Sequence, residues 1–157
     1  MKLLVDSMLG TLGKWLRLLG YDAAIAVNHA SDAELARQAR AEGRVLLTRD
    51  RGLAGRRGLQ TLLVEEGDLD AQLLQVMQAL CLPAPQPGSR CVHCNALLQP
   101  ASHEEVAHDV PPYVLQTQPA FRRCPRCRRV YWRGTHMEQI EQKAKLWRRA
   151  QGRAASQ

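Results

Sequence analysis

The sequence has no long hydrophobic run. Its longest apolar stretches, as in KLLVD and RVLLT, are a few residues each, whereas a membrane-spanning helix needs about 20. The chain passes from Met1-Lys2 straight into a strand-like segment, so no secretory signal is expected and the default reading is a cytoplasmic protein without membrane contact. There is no internal repeat and no phosphate-cradling loop: DSMLGTLGK carries two glycines without the G-x-x-x-x-G-K-[ST] spacing. Two aspartate chemistries lack a part. A haloacid-dehalogenase-type phosphatase wants an Asp where Met8 stands, and a receiver domain wants an acidic pair that Ser7 interrupts. In a chain read as cytoplasmic, five cysteines do not imply a disulfide framework.

What is present is globular in composition, 45% hydrophobic and 24% charged, over 157 residues that suit one domain or two small ones. The net charge of +7 is unevenly placed. Residues 1–88 hold ten Lys/Arg and ten Asp/Glu, while residues 89–157 hold twelve against five. A basic half beside a neutral, carboxylate-bearing half points to a polyanion-binding module joined to something else, or simply to a soluble basic surface. On the first reading, residues 1–85 alone keep the chemistry and lose the affinity.

The first half alternates short apolar runs with helical periodicity. Strands are expected at KLLVD (2–6), DAAIAV (22–27), RVLLT (44–48) and QTLLV (60–64). Leu9, Leu12, Leu16 and Leu19 recur at helical spacing and stop at Gly20; Ser31 and Glu34 form a capping box for a helix over 32–42 that Gly43 ends. Leu69, Leu73, Val76 and Leu80 mark another helix, and Cys81 at its end reads as a small core residue. This order predicts an α/β fold with a mainly parallel sheet flanked by helices. The segment LPAPQPGS (82–89) reads as an extended linker. The expected organisation is a first module over 1–82, a Pro-rich linker over 83–89, a cysteine-bearing module over 90–137, and a helix and tail over 138–157. Thr135 with Glu138 suggests a capping box for that last helix, running to about Arg149 before a frayed tail.

In a parallel sheet, functional groups gather beyond the C-terminal strand ends. Asp6 ends the first strand, Asp50 follows the third, Asp68 follows the fourth, and Asp32 opens the helix after the second. Converging carboxylates repel, and a hard divalent cation such as Mg²⁺ or Mn²⁺ relieves the repulsion. Such ions activate water and stabilise the leaving oxygen of a phosphodiester. Aspartates at strand ends also cap turns, so each one alone is ambiguous. Cys91-x-x-Cys94 and Cys124-x-x-Cys127 have the spacing of a four-thiolate structural Zn²⁺ site; His93 and the other histidines read as non-ligands. Around the second pair, Arg122, Arg123, Arg126, Arg128, Arg129 and Arg133 are interleaved with Phe121, Tyr131 and Trp132, a pattern that grips phosphates and stacks on bases. Arg126, Arg128, Arg129 and Trp132 are the candidate nucleic-acid contacts there, while packing within so small a module accounts for the aromatics equally well.

Three segments taken together, LLVDSMLGTLGKWLRLLGYD, SDAELARQARAEGRVLLTRDRGLA and RCVHCN…FRRCPRCRRVYWRGTHM, resemble the Mut-seven C-terminal RNase domain family, a short PIN-like nuclease domain joined to a zinc ribbon. The resemblance implies a metal-dependent ribonuclease site: Asp6, Asp32 and Asp50 as ligands of the catalytic Mg²⁺ or Mn²⁺, with Asp68 as a fourth acid. Larger PIN domains add a Glu on a helix between the first two acids, and residues 7–31 contain none. That departure favours one tightly held ion over two. Arg49, Arg51, Arg56 and Arg57 flank Asp50 as candidate phosphate contacts, as does Lys14. A non-catalytic zinc-ribbon nucleic-acid-binding or adaptor protein is the alternative, and a regulatory protein partner is left open.

Overall fold

A computed structural model describes residues 1–154. The four expected strands form one parallel sheet in the order β2-β1-β3-β4: β1 (Lys2–Val5), β2 (Asp22–Ile25), β3 (Val45–Thr48) and β4 (Thr61–Leu63). A 3₁₀ turn (Ser7–Leu9) and α1 (Gly10–Leu18) join β1 to β2; α2 (Asp32–Glu42) joins β2 to β3. The Ser31–Glu34 capping box forms at the start of α2, and Gly43 closes it in the left-handed conformation. One element was not expected: α3 (Arg51–Ala54), a single turn between β3 and β4, too short to leave a periodic signal. After β4 comes α4 (Leu69–Ala79).

Strand side chains alternate between the two faces. Leu3, Val5, Ala23, Val45 and Leu47 meet Leu12 and Leu16 of α1 and Leu73, Val76 and Met77 of α4. On the other face, Leu4 and Leu46 meet Leu35 and Ala39 of α2 and Leu53 of α3. At Gly13 α1 comes so close to the sheet that a Cβ would lie 2.7 Å from Ile25 Cγ1.

The second module is a three-stranded antiparallel sheet, β5 (Gln99–Ala101), β6 (Phe121–Arg123) and β7 (Val130–Trp132), with two short helices, α5 (His103–Val106) and α6 (Pro112–Thr117), between β5 and β6. Val106, Val110, Val114 and Phe121 give it a small apolar core of its own.

The modules are welded together. Arg17, 8% exposed, donates from Nε to the Ala23 carbonyl at 2.7 Å and from Nη1 to the carbonyls of Val92 and His93 at 2.8 and 3.0 Å. Asn95 accepts from the Ala23 amide and donates to Asp22, which also pairs with Arg44 at 2.7 Å. Despite the cost of burial, these two partners hold the Asp22 carboxyl below its ordinary range.

Segment 82–89 is likewise no free linker. Leu82 and Pro85 are buried, the amides of Gln86 and Gly88 donate to the carbonyls of Leu19 and Leu18, and the Tyr21 hydroxyl donates to the Pro83 carbonyl at 2.7 Å. Gly20, at φ 91°, lies so close that a Cβ would overlap Gln86 and Ser89. Cys81 lies beyond the end of α4, exposed and at φ 47°, not in the core as expected; the chain has already turned away from the apolar face there.

The last helix, α7 (Thr135–Ala154), runs past Arg149 into the expected frayed tail, of which residues 155–157 lie outside the described residues. Its first turn hangs on the Gly134 carbonyl, which accepts from Met137 and Glu138. Thr135 therefore sits inside the helix and not ahead of it, as a Thr135–Glu138 capping box requires. Ile140, Ala144 and Trp147, one stripe at i, i+4 and i+7, are buried in the core of the first module. Trp147 meets Trp15 edge-on at 6.0 Å.

Replacing Arg17 by Met strands three carbonyls, and loss of hydrogen bonds to a charged donor costs about 1.5–3 kcal/mol; the thermal midpoint should fall, and Lys, whose donors all sit on one nitrogen, should not restore it. Trp147→Ala should cost about 3–5 kcal/mol. Residues 1–85 expressed alone, lacking α7, should show no cooperative melting in calorimetry, contrary to the independence that the charge division suggested.

Candidate active site and metal centre

The strand order itself marks one place on the sheet. From β1 the chain crosses to β2 on one side and then back to β3 on the other, so the topological switch point lies between β1 and β3. Ligands of open α/β sheets bind beyond the C-terminal strand ends at such a point. Asp6 and Asp50 stand there.

Thr48, the last residue of β3 and fully buried, ties them together. Its hydroxyl donates to Asp6 Oδ2 at 2.8 Å and accepts from the Asp50 amide at 3.0 Å. The Asp6 amide continues the sheet by donating to the Leu47 carbonyl, and Ser7 lies 3.4 Å from Asp6 Oδ1. Asp50 caps α3, its Oδ1 accepting from the Leu53 amide at 2.9 Å. One carboxylate is thus fixed by a buried hydroxyl, the other by a helix end, with Asp50 Oδ2 left over. Nothing in the apolar run VLLT had singled out Thr48; its only signal was a hydroxyl two residues ahead of Asp50.

Asp32 and Asp68 lie on the same edge but farther out. Adjacent strands are about 4.8 Å apart, and these two acids follow the outer strands β2 and β4. Asp32 is exposed in the first turn of α2. Asp68 caps α4 through the Ala71 amide at 3.0 Å. Its loop is pinned by Gln72 and Arg49, which both donate to the Glu66 carbonyl. Arg51 pairs with Glu65 at 3.5 Å on the surface. Among the described residues, no hydrogen bond joins Asp32 or Asp68 to the central pair, and the only group of three or more potential metal ligands drawn together is the cysteine cluster. For a hard cation the fit is nevertheless a chemical one: Mg²⁺ commonly takes one or two carboxylates and completes its shell with water and substrate phosphate.

The sulfur site is half-enclosed, with Cys91 and Cys124 buried and Cys94 and Cys127 partly exposed. The Sγ atoms of Cys91, Cys94, Cys124 and Cys127 lie within 4.8 Å of one another, with Cys91 and Cys127 3.7 Å apart. A tetrahedron with Zn–S bonds of about 2.3 Å has edges near 3.8 Å, so the thiols suit that ion. The two knuckles have the same construction. The Cys94 amide points at Cys91 Sγ and the Cys127 amide at Cys124 Sγ; each knuckle closes on a left-handed residue, Asn95 at φ 63° and Arg128 at φ 65°. Hydrogen bonding to Cys127 pushes Cys94 up to about 12. Cys127, despite its burial, is held at about 7 by the Arg129 amide and the neighbouring thiols. The Tyr131 hydroxyl sits 3.1 Å from Cys91 Sγ; burial and that contact raise its ionisation, which keeps it a donor.

The arginines divide. Arg123 turns inward to Asp109 at 2.6 Å and the Glu105 carbonyl, and Arg133 pairs with Glu141. Arg122, Arg126, Arg128 and Arg129 are exposed. Trp132 is half-buried against Phe121, and Tyr131, its strand neighbour, faces the cysteines.

No helix of the described residues is long and apolar enough to cross a membrane. Neither the curated proteins nor the solved structures contain a match to the chain. A family model does match, that of the Mut7-C RNAse domain, over residues 1–144. With the switch-point aspartates and the four-cysteine cluster both inside that span, the chain belongs to the Mut7-C RNAse domain family.

Proposed function

We propose that the protein is a cytoplasmic, divalent-metal-dependent endoribonuclease in which Asp6 and Asp50 hold one hard cation and the zinc-loaded ribbon binds RNA. The observation that carries this reading is the Asp6–Thr48–Asp50 arrangement at the switch point. A buried hydroxyl that orients the Asp6 carboxylate and at the same time holds the Asp50 backbone is more than a fold needing only caps requires, and orienting partners of this kind support metal ligands. When bound, Mg²⁺ or Mn²⁺ supplies charge neutralisation and a more acidic water for attack on the phosphodiester. Asp32 and Asp68, one strand farther out on either side, meet the ion or its waters once substrate is present. Arg49 and Arg51 face the phosphates beside Asp50.

The other reading, a nucleic-acid-binding or adaptor module without catalysis, draws on a single observation: no third carboxylate closes on the central pair among the described residues. Release of fragments from a mixed RNA pool in Mn²⁺ separates the two.

Asp6→Asn and Asp50→Asn should nearly abolish that release while the melting transition stays cooperative, because a neutral amide binds a hard cation poorly. Thr48→Val should weaken Mn²⁺ affinity by about 10–100-fold, measured by titrating metal against rate. Wild-type rates in both Asn variants would sink the site.

For the ribbon, metal analysis should find one zinc per chain, lost in Cys91→Ser and in Cys124→Ser. Cys91→Ser should also lower the melting temperature of the first module, since Val92, His93 and Asn95 of that knuckle carry the contacts to it. A wild-type protein free of zinc would refute the assignment.

A further inference from the structure

The ribbon and the candidate active site sit at opposite ends of the sheet. Asn95 and Arg90 bind Asp22, Ala23 and Gly20, at the start of β2, whereas Asp6 and Asp50 lie beyond the strand ends. If the ribbon holds RNA for the acids to cut, the strand must cross the module, and α1 runs the required way. It begins next to Asp6 and ends at the ribbon.

A cleft opens at the ribbon end of α1. It has a volume of about 420 Å³ and is lined by Leu18 from α1, Val92 and His93 from the first knuckle, Trp132 from β7, and Met137 and Ile140 from α7. Small-ligand sites range over roughly 300–1,000 Å³. Two further hollows share its Tyr131–Trp132 wall; Arg122 and Arg133 line one, Arg128 and Arg129 the other. Arg133 is engaged by Glu141 and Asp109 lies near the arginine pair, but Arg122, Arg128 and Arg129 make no side-chain hydrogen bond or ion pair among the described residues. An apolar hollow that shares a wall with two arginine-lined ones matches the mixed chemistry of a nucleotide, a flat base on a charged backbone.

From Leu18 the exposed face of α1 leads back to the acids. Lys14 lies one turn away at i−4, on the same side of the helix, and is exposed. Thr11 follows, also exposed. Then comes Met8, 73% exposed in the turn directly after Asp6.

We propose that single-stranded RNA lies along the outer face of α1, with one unpaired base in the Trp132 cleft, its backbone over Lys14, and the scissile phosphate at Asp6 and Asp50. The occupant rests on the ribonuclease reading; the track rests on the cleft and the α1 face. Gly10 to Leu18 spans about 12 Å at 1.5 Å per residue, which about four nucleotides cover at the 3.4 Å or so of a stacked strand. The enzyme therefore cuts a short, fixed distance from the base it holds.

The test uses the full-length, zinc-loaded Asp6→Asn protein without added Mg²⁺ or Mn²⁺, so that binding is read apart from cleavage. Fluorescence anisotropy with labelled oligouridylates of one to ten nucleotides should show affinity rising to about six nucleotides and then levelling. In the hexamer, which fits the track in one register, an abasic site should cost about tenfold at one position and little elsewhere. Wild-type protein in Mn²⁺ should cut the unmodified hexamer about four nucleotides from that position. Lys14→Gln should weaken binding and reduce the log–log salt slope by about 0.7. A flat abasic scan, or an unchanged slope in Lys14→Gln, would overturn the track whether or not the protein cleaves. Absence of cleavage beside a position-dependent abasic scan would instead overturn the nuclease reading and leave the track standing.

Discussion

The architecture depends on one buried cation. Arg17 places a guanidinium where α1 ends, and three carbonyls from two distant parts of the chain converge on it. Desolvation makes its charged form expensive and lowers its pKa, while nearby Cys91, Cys94 and Asp22 oppose that shift. Without a rigid fork at this point, the first knuckle would have no fixed seat on the sheet, and neither would Asn95, whose amide reads the edge of β2. Lysine cannot serve here, because its donors all sit on one nitrogen, whereas Arg17 reaches Ala23 from Nε and the knuckle carbonyls from Nη1. This one buried charge is the joint between the modules.

At the other end of the sheet the governing constraint is topological. The change of winding direction between β1 and β3 leaves a crevice that no crossover covers, and the two acids nearest it share Thr48. The outer acids sit one strand away and serve α2 and α4 as first-turn or capping groups. Position along the sheet edge therefore grades four aspartates that look alike in composition. The same geometry separates chemistry from anchoring: the acids open on one edge, the ribbon closes the other, and α1 connects them.

Much of this was legible in the sequence, for local reasons. Four apolar runs, one complete capping box and two C-x-x-C pairs are each short-range signals, and the structure contains each of them. A carboxylate just past an apolar run is also a local pattern, which is why Asp6 and Asp50 stood out. What failed to show was long-range or very short. The Arg17 and Asn95 contacts join residues more than 70 positions apart. α3, α5 and α6 run to six residues or fewer, too few to display a period. Prolines at 83, 85 and 87 suggested an extended linker because proline interrupts helices, yet the same residues leave carbonyls free for Tyr21 and Arg148. Cys81 took its core reading from a helix that stops two residues before it.

The docking of α7 has a consequence in time. The sheet and its first helices are synthesised well before Ile140, Ala144 and Trp147, which close their core. Ribosomes add about 5–20 residues per second, so Trp15 waits on the order of ten seconds for Trp147 to exist. During that interval the apolar face of α1 has no lid, and the acids at the sheet edge stand on an unfinished floor. The sheet edge with its aspartates and the four-cysteine module therefore settle together, once α7 has been made. A nascent chain stalled before residue 140 carries every proposed catalytic acid and lacks the packing that holds them in place.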